Sequence, residues 1–365
     1  MNNLIAYVEN TMETMCEKPF NQVDSLVLAQ FCYTHLNGLA PTPEDAVPPM
    51  PLKNLLKAEH FKAMFQGLLA PDSNQKLLMA LAASPRYREI GLHEYVDLHN
   101  DSTIEQFAAM TFFLPDDTLY IAFRGTDTSF LGWKEDFNMA YVCPVPSQTA
   151  SLVYLRGVAQ KHAEKPLRLG GHSKGGNLAV YAAMTVENIV KDQIKAVYSH
   201  DGPGFQQEML AGSNFAAVQT RIQKTLPQSS LIGMLLQSNE PYQVVKSAKI
   251  GGLLQHDPFS WEVQDGDFVY LPKLTDGAVY RNTTLDAWLA TLTEEKRSTL
   301  IAALFQIIDA SGATTFADFA ANWQKDIPAM LKALTQIDKE TRDDVTEVVK
   351  ELVKISLKNL TNERT

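Results

Sequence analysis

The stretch LRLGGHSKGGNLAVYAAM, residues 167–184, limits the folds open to this chain more than any other. Leu167 and Leu169 belong to a short apolar run that reads as a buried strand, and Leu178, Ala179, Ala182 and Ala183 recur at the three-and-four spacing of a helix face. Between them lies Gly171-His172-Ser173-Lys174-Gly175, a G-x-S-x-G turn. Placed between strand and helix, that pattern holds a serine on a sharp, strained backbone and pushes its hydroxyl out of the fold. The bland alternative is a glycine-rich turn whose serine only caps the helix. A phosphate loop is excluded by spacing, because the stretch lacks both G-x-x-x-x-G-K-[ST] and G-x-G-x-x-G.

A strand–turn–helix unit at the centre predicts alternation of the two elements around it. From about 91 the runs GLHEYVDLHN, EQFAAMTFFL and TLYIAFRG are rich in β-branched and aromatic residues, with Pro115-Asp116-Asp117 as a hairpin turn. A helix follows around 147–164, then the strand before Ser173, then IKAVYSH at 194–200, with TRIQKTL, YQVVKS and DFVYLP as three more strands. This predicts an α/β fold with a mostly parallel sheet. Residues 1–85 read as an N-terminal helical segment packed on the core, interrupted by the proline-rich PTPEDAVPPMP at 41–51 and resuming at Leu55. Residues 86–283 form the core, and 284–365 a C-terminal helical extension with a helix start at Thr293, a stop at Gly312 and an apolar face through Val345, Val348, Val349, Leu352 and Ile355.

The 365 residues, 45% of them hydrophobic, suffice for a large core. A formal charge of −10 argues against nucleic-acid partners and against general attraction to anionic membranes. Cys16, Cys32 and Cys143 are too few and scattered for a disulfide framework or zinc cluster and read as buried thiols. The first twenty residues lack a basic leader pattern and no apolar run is long enough to span a bilayer, so a cytoplasmic protein without stable membrane insertion is expected.

A serine hydroxyl is a weak nucleophile at neutral pH and needs a base, a group to orient the base, and donors for the oxyanion. In α/β-hydrolases the chain order is serine, acid, histidine. His200 and His256 alone follow Ser173, and His256, in the loop-like LLQHDPFSW after the YQVVKS strand, is the better base; His200 closes its strand too early in the order. Asp201 in SHDGPGF is the first choice of acid, because it closes the strand after the elbow helix at the carboxyl edge of the sheet. Glu240, Asp257 and no acid at all remain open, and Gln228 and Ser229 occupy the commoner position one strand later. The oxyanion hole would take the N–H of Lys174 and that of Thr126 or Asp127 from the loop after TLYIAF; Asp127 and Asp136 are candidates to pair with Arg124.

AFRGTDTSFLGWKEDF resembles the FRGT-x-S…W-x-x-D segment of class 3 lipases, GGHSKGGNLA resembles their GHSLGG-x-LA elbow, and SHDGPGF falls where they carry G-x-P. With FNQVDSLVLAQFCY, GMLLQSNEPYQVVKS and QHDPFSW, most of the chain is similar to a bacterial family of lipase-like α/β-hydrolases of undeclared function. The resemblance implies the α/β-hydrolase fold, Ser173 and His256. Two departures stand out: Lys174 replaces the usual apolar residue after the serine, and the usual acid position is not acidic. The expected function is a serine hydrolase of carboxylic, acyl-lipid esters without cofactor or metal, its partner a small-molecule or lipid ester and its oligomeric state open. The rival is a non-catalytic binding or scaffold protein on the same fold. The apolar LIGMLL at 231–236 reads as core before lid or acyl pocket.

Overall fold

A computed structural model describes residues 2–291, except 101, 103, 128–134, 136–137 and 140–141, together with 293, 295–296, 299, 303, 339 and 341–343. Eleven strands are formed among them: β1 (Met50–Pro51), β2 (Gly91–Asn100), β3 (Glu105–Phe113), β4 (Leu119–Phe123), β5 (Leu167–His172), β6 (Ile194–His200), β7 (Ile222–Pro227), β8 (Tyr242–Val245), β9 (Val263–Gln264), β10 (Asp267–Phe268) and β11 (Tyr270–Leu271). Nine make one sheet in the order β1-β2-β3-β4-β5-β6-β7-β8-β11, and β9 and β10 pair apart from it. The sheet is parallel from β4 through β8 and antiparallel at both flanks, so it is mixed where the alternation predicted mostly parallel.

The central strands are apolar on both faces, as parallel strands covered by helices must be. Along β4 the side chains alternate between two cores. Tyr120 and Ala122 face the helices near the amino terminus, whereas Leu119, Ile121 and Phe123 face the helices Pro146–Lys161 and Lys174–Thr185. The helix Gln22–Phe31 lies over β5 on the first face, started by a capping box in which Asn21 and Asp24 satisfy each other's backbone N–H groups. Asp24 is also held by Arg86, Tyr7 and Tyr87, a buried carboxylate with a full set of donors.

Several expectations require correction. The proline-rich interruption ends in β1, which pairs antiparallel with β2 at the sheet edge where proline is tolerated. Residues Leu52–Leu55 form a 3₁₀ turn, and α-helix returns only at Phe61. DFVYLP divides between the small β9–β10 pair and the edge strand β11. Cys16 is exposed and Cys143 half-buried, leaving Cys32 as the buried thiol; all three are unpaired. The last long helix described, Asp276–Thr291, begins before 284. The Thr293 hydroxyl accepts from Lys296 N–H at 3.2 Å, as a helix cap does, while Gly312 and the stripe from Val345 to Ile355 lie outside the described residues. Among the described residues no helix is long and apolar enough to cross a membrane.

Candidate active site

β5 ends at His172 and the next helix begins at Lys174, so Ser173 alone makes the turn. Its backbone sits at φ 59°, ψ −133°, a region that costs a non-glycine residue free energy and persists only where the surroundings impose it. They do so here. Ser173 N–H donates to the His200 carbonyl across to β6, and Gly176 N–H donates to the Ser173 carbonyl, each at 2.9 Å. A β-carbon on Gly171 would lie 2.7 Å from the Cα of Gly175, so the two motif glycines are needed because the chain crosses itself at the turn. Ser173 stands at the carboxyl edge of the sheet but is only 7% exposed, more covered than the turn alone predicts.

The structure brings Asp201 and His256 together. Asp201 follows β6 directly, at φ 49°, and is fully buried. Its Oδ2 lies 2.6 Å from His256 Nδ1, and its Oδ1 accepts from the Ser230 hydroxyl at 2.5 Å and from Gly233 N–H at 3.1 Å. A carboxylate so placed can only accept, so His256 carries its proton on Nδ1 and leaves Nε2 with a lone pair. Gly233 belongs to the apolar 231–236 segment, most of which is half-buried, and the segment is therefore tied to the acid. The base loop is fixed on both sides: Gln255 accepts from Ser229 N–H through its side chain and from Trp261 Nε1 through its carbonyl, and Asp257 caps the turn Pro258–Ser260 and pairs with Lys249 at 2.6 Å.

The alternative groups are engaged elsewhere. His200 is buried between Ser25 and Thr225, with Nε2 2.9 Å from Ser25 Oγ and Nδ1 2.7 Å from Thr225 Oγ1, and burial pushes it down to about 3. Glu240 pairs with buried Lys224 at 3.3 Å, and burial lowers that lysine. Asp257 is spent on its cap and on Lys249.

On the oxyanion side, Gly125 lies against the elbow: a β-carbon there would fall 2.6 Å from the His172 carbonyl oxygen and 3.1 Å from Ser173 Cβ. Thr126 is buried next to it, and Asp127 N–H donates to Gln106 Oε1 at 3.2 Å. Arg124 pairs with Asp97 in a two-pronged bond, Nη2 to Oδ1 at 2.7 Å and Nη1 to Oδ2 at 3.0 Å, and not with Asp127; Asp136 lies outside the described residues. Lys174 is the first residue of the elbow helix, where backbone N–H groups have no intrahelical acceptor. Its ammonium is buried against Glu135 Oε2 at 2.9 Å and the Gln106 carbonyl at 3.0 Å, and Glu135 Oε1 accepts from Ser147 N–H at 2.8 Å. The lysine that departs from the lipase pattern thus has a buried carboxylate as its partner. Among the described residues no cluster of His, Cys, Asp and Glu suits a metal ion.

A family model described as Mbeg1-like matches residues 81–306, more than half the chain. The chain belongs to the Mbeg1-like family. This is the lipase-like, class 3 kind of family that the FRGT, GHSKGG and SHDGPG blocks resemble. No curated protein matches the chain. Similar solved structures include the propeptide complex of Rhizomucor miehei lipase, 16% identical over 50% of this chain with a TM-score of 0.34; the match spans 62% of that chain, less than two thirds of its length. A mutant form of MDLA from Penicillium cyclopium is 12% identical over 67% of this chain and 82% of that one, with a TM-score of 0.38. Lip2 lipase from Yarrowia lipolytica is 10% identical over 48% and 71%, with a TM-score of 0.33.

Within this Mbeg1-like chain, sequence reasoning passed over Ser230, Gly233, Gln106, Glu135 and His172, each of which touches a site residue, and Tyr33, which touches His172. One signal was available: a lysine at the first position of a helix packed into the core requires a carboxylate partner. Glu135 lies 39 positions away and only the fold selects it.

Proposed function

We propose that this Mbeg1-like chain is a serine hydrolase of carboxylic esters, with acyl-lipid esters as its substrate class. The observation that carries the reading is the 2.6 Å contact between Asp201 and His256 at the sheet edge where Ser173 occupies its strained turn. Ser173 Oγ attacks the ester carbonyl as His256 Nε2 takes its proton, giving a tetrahedral oxyanion. Collapse expels the alcohol, which receives the proton back from His256 and leaves the acyl group on Ser173. Water then attacks the acyl-enzyme by the same proton relay, releasing the carboxylic acid and restoring the serine. Asp201 fixes the tautomer of His256 and offsets the charge of the imidazolium.

For the oxyanion we assign the N–H of Lys174, with the second donor from the Thr126–Asp127 loop beside the elbow. We choose acyl-lipid esters over small esters because the apolar 231–236 segment is mostly half-buried and is tied to Asp201 through Gly233. The test is hydrolysis of p-nitrophenyl butyrate by the purified chain and by Ser173→Ala. The reading requires turnover that the variant loses, at unchanged melting temperature; equal turnover by both refutes it.

A further inference from the structure

We infer that His172, held by Tyr33, is a positioning residue that sets the register between the nucleophile turn and the loop bearing the base; the inference rests on the reading of Ser173 and His256 given above. His172 is the last residue of β5, immediately before Ser173, and is buried. Its Nε2 lies 2.8 Å from the backbone carbonyl oxygen of His256, and the two imidazole rings pack with centroids 4.4 Å apart. One side chain therefore joins the residue adjoining the nucleophile to the backbone of the base itself.

The hydrogen-bond chemistry fixes the direction of this link. A carbonyl oxygen can only accept, so His172 Nε2 carries the proton and Nδ1 has the lone pair. Tyr33 OH, 3.1 Å from that Nδ1, is then the donor and locks the tautomer. In the other tautomer, two lone pairs would face each other between His172 Nε2 and the His256 carbonyl. Tyr33 follows the helix Gln22–Phe31, and its hydroxyl also occupies the space that a side chain at position 125 would need. The same phenol thus abuts the strand end of the oxyanion loop, the nucleophile strand and, through His172, the base loop. Burial keeps His172 well below the usual histidine range, so the link stays neutral.

The role is tested in the full chain with three variants. His172→Leu removes the donor at similar volume, His172→Gln restores an amide N–H near the Nε2 position, and Tyr33→Phe releases the tautomer while leaving the packing. A misplacement of catalytic groups by about 1 Å can cost about a hundredfold in rate. We expect His172→Leu to lower kcat by about 30- to 100-fold with KM within about twofold, Gln to recover most of the loss, and Tyr33→Phe to cost about tenfold. A second readout does not need turnover: the proton shared by His256 Nδ1 and Asp201, observed by proton NMR far downfield, should move upfield in His172→Leu and Tyr33→Phe and return in His172→Gln. Unchanged kcat and resonance in Tyr33→Phe and His172→Leu would overturn the inference. So would a Gln variant as impaired as Leu at equal melting temperature. If His172→Leu does not fold, Tyr33→Phe decides alone. A wild-type chain without esterase activity, but with a resonance that moves as stated, would refute the hydrolase reading and leave the positioning role standing.

Discussion

Asp201→Asn is the substitution whose outcome the geometry constrains most tightly. The carboxylate Oδ1 accepts from Gly233 N–H at 3.1 Å and from the Ser230 hydroxyl at 2.5 Å, and a backbone N–H cannot reverse its role. The introduced amide must therefore keep its oxygen at the Oδ1 position and turn its NH₂ toward His256 Nδ1, now 2.6 Å from Oδ2. An amide donor there forces the His256 proton onto Nε2, the nitrogen that must take the serine proton. The opposite orientation would set NH₂ against the Gly233 N–H in a fully buried site, at a cost of about 1–3 kcal/mol for the lost bond. The wrong tautomer in a serine triad costs about ten-thousandfold in kcat, or about 5.5 kcal/mol of transition-state stabilisation. The assay is p-nitrophenyl butyrate turnover per folded molecule, with the fold monitored by thermal melting. Glu240→Gln and Asp257→Asn serve as controls and should keep kcat within a few-fold. Asp201→Asn with more than a tenth of wild-type kcat, or a collapse of kcat in Asp257→Asn, would refute the reasoning.

Three further outcomes follow from the same geometry. Lys174→Met should destabilise the chain by about 3–5 kcal/mol, because it leaves the Glu135 carboxylate buried without its cation, and Lys174→Met with Glu135→Gln should recover part of that in urea unfolding; additive losses would contradict it. Stability should fall between pH 7 and pH 5: His200, held near about 3, and His172, held low, stay neutral when folded, whereas the unfolded chain takes up protons below about 6.5, so stability is lost as pH drops toward the folded values; a flat urea midpoint to pH 5 would exclude this. Relative kcat/KM should rise from acetyl to octanoyl esters by at most about 0.8 kcal/mol per methylene, and Leu236→Ser should flatten the rise if the 231–236 segment receives the acyl chain; a steady decline would point to small esters.

Much of the sheet was legible because strand signals are local. β2 and β6 coincide with the runs GLHEYVDLHN and IKAVYSH, and the Pro115-Asp116-Asp117 turn joins β3 to β4 with Asp117 at φ 61°. The pairings were not local: antiparallel flanks and the edge strand from Met50 depend on what lies alongside, which period and propensity do not encode. At the site, the strained turn at Ser173 was readable from its glycines, and the contact of Asp201 with His256 was one of the pairings that strand position and chain order left open. The partners of Asp201, Lys174 and His172 were not readable, since Ser230, Glu135 and Tyr33 lie 29, 39 and 139 positions from the side chains they contact. A serine, a glutamate or a tyrosine carries no mark of such a partner.

The central claim is that Ser173 is a nucleophile activated by His256, and covalent labelling addresses it without assuming a substrate. A fluorophosphonate probe should modify the purified chain at a single peptide containing Ser173, as mapped by mass spectrometry, with labelling abolished in Ser173→Ala and slowed at least about a hundredfold in His256→Ala. No labelling of the folded wild-type chain, or labelling that persists in Ser173→Ala, would contradict the account.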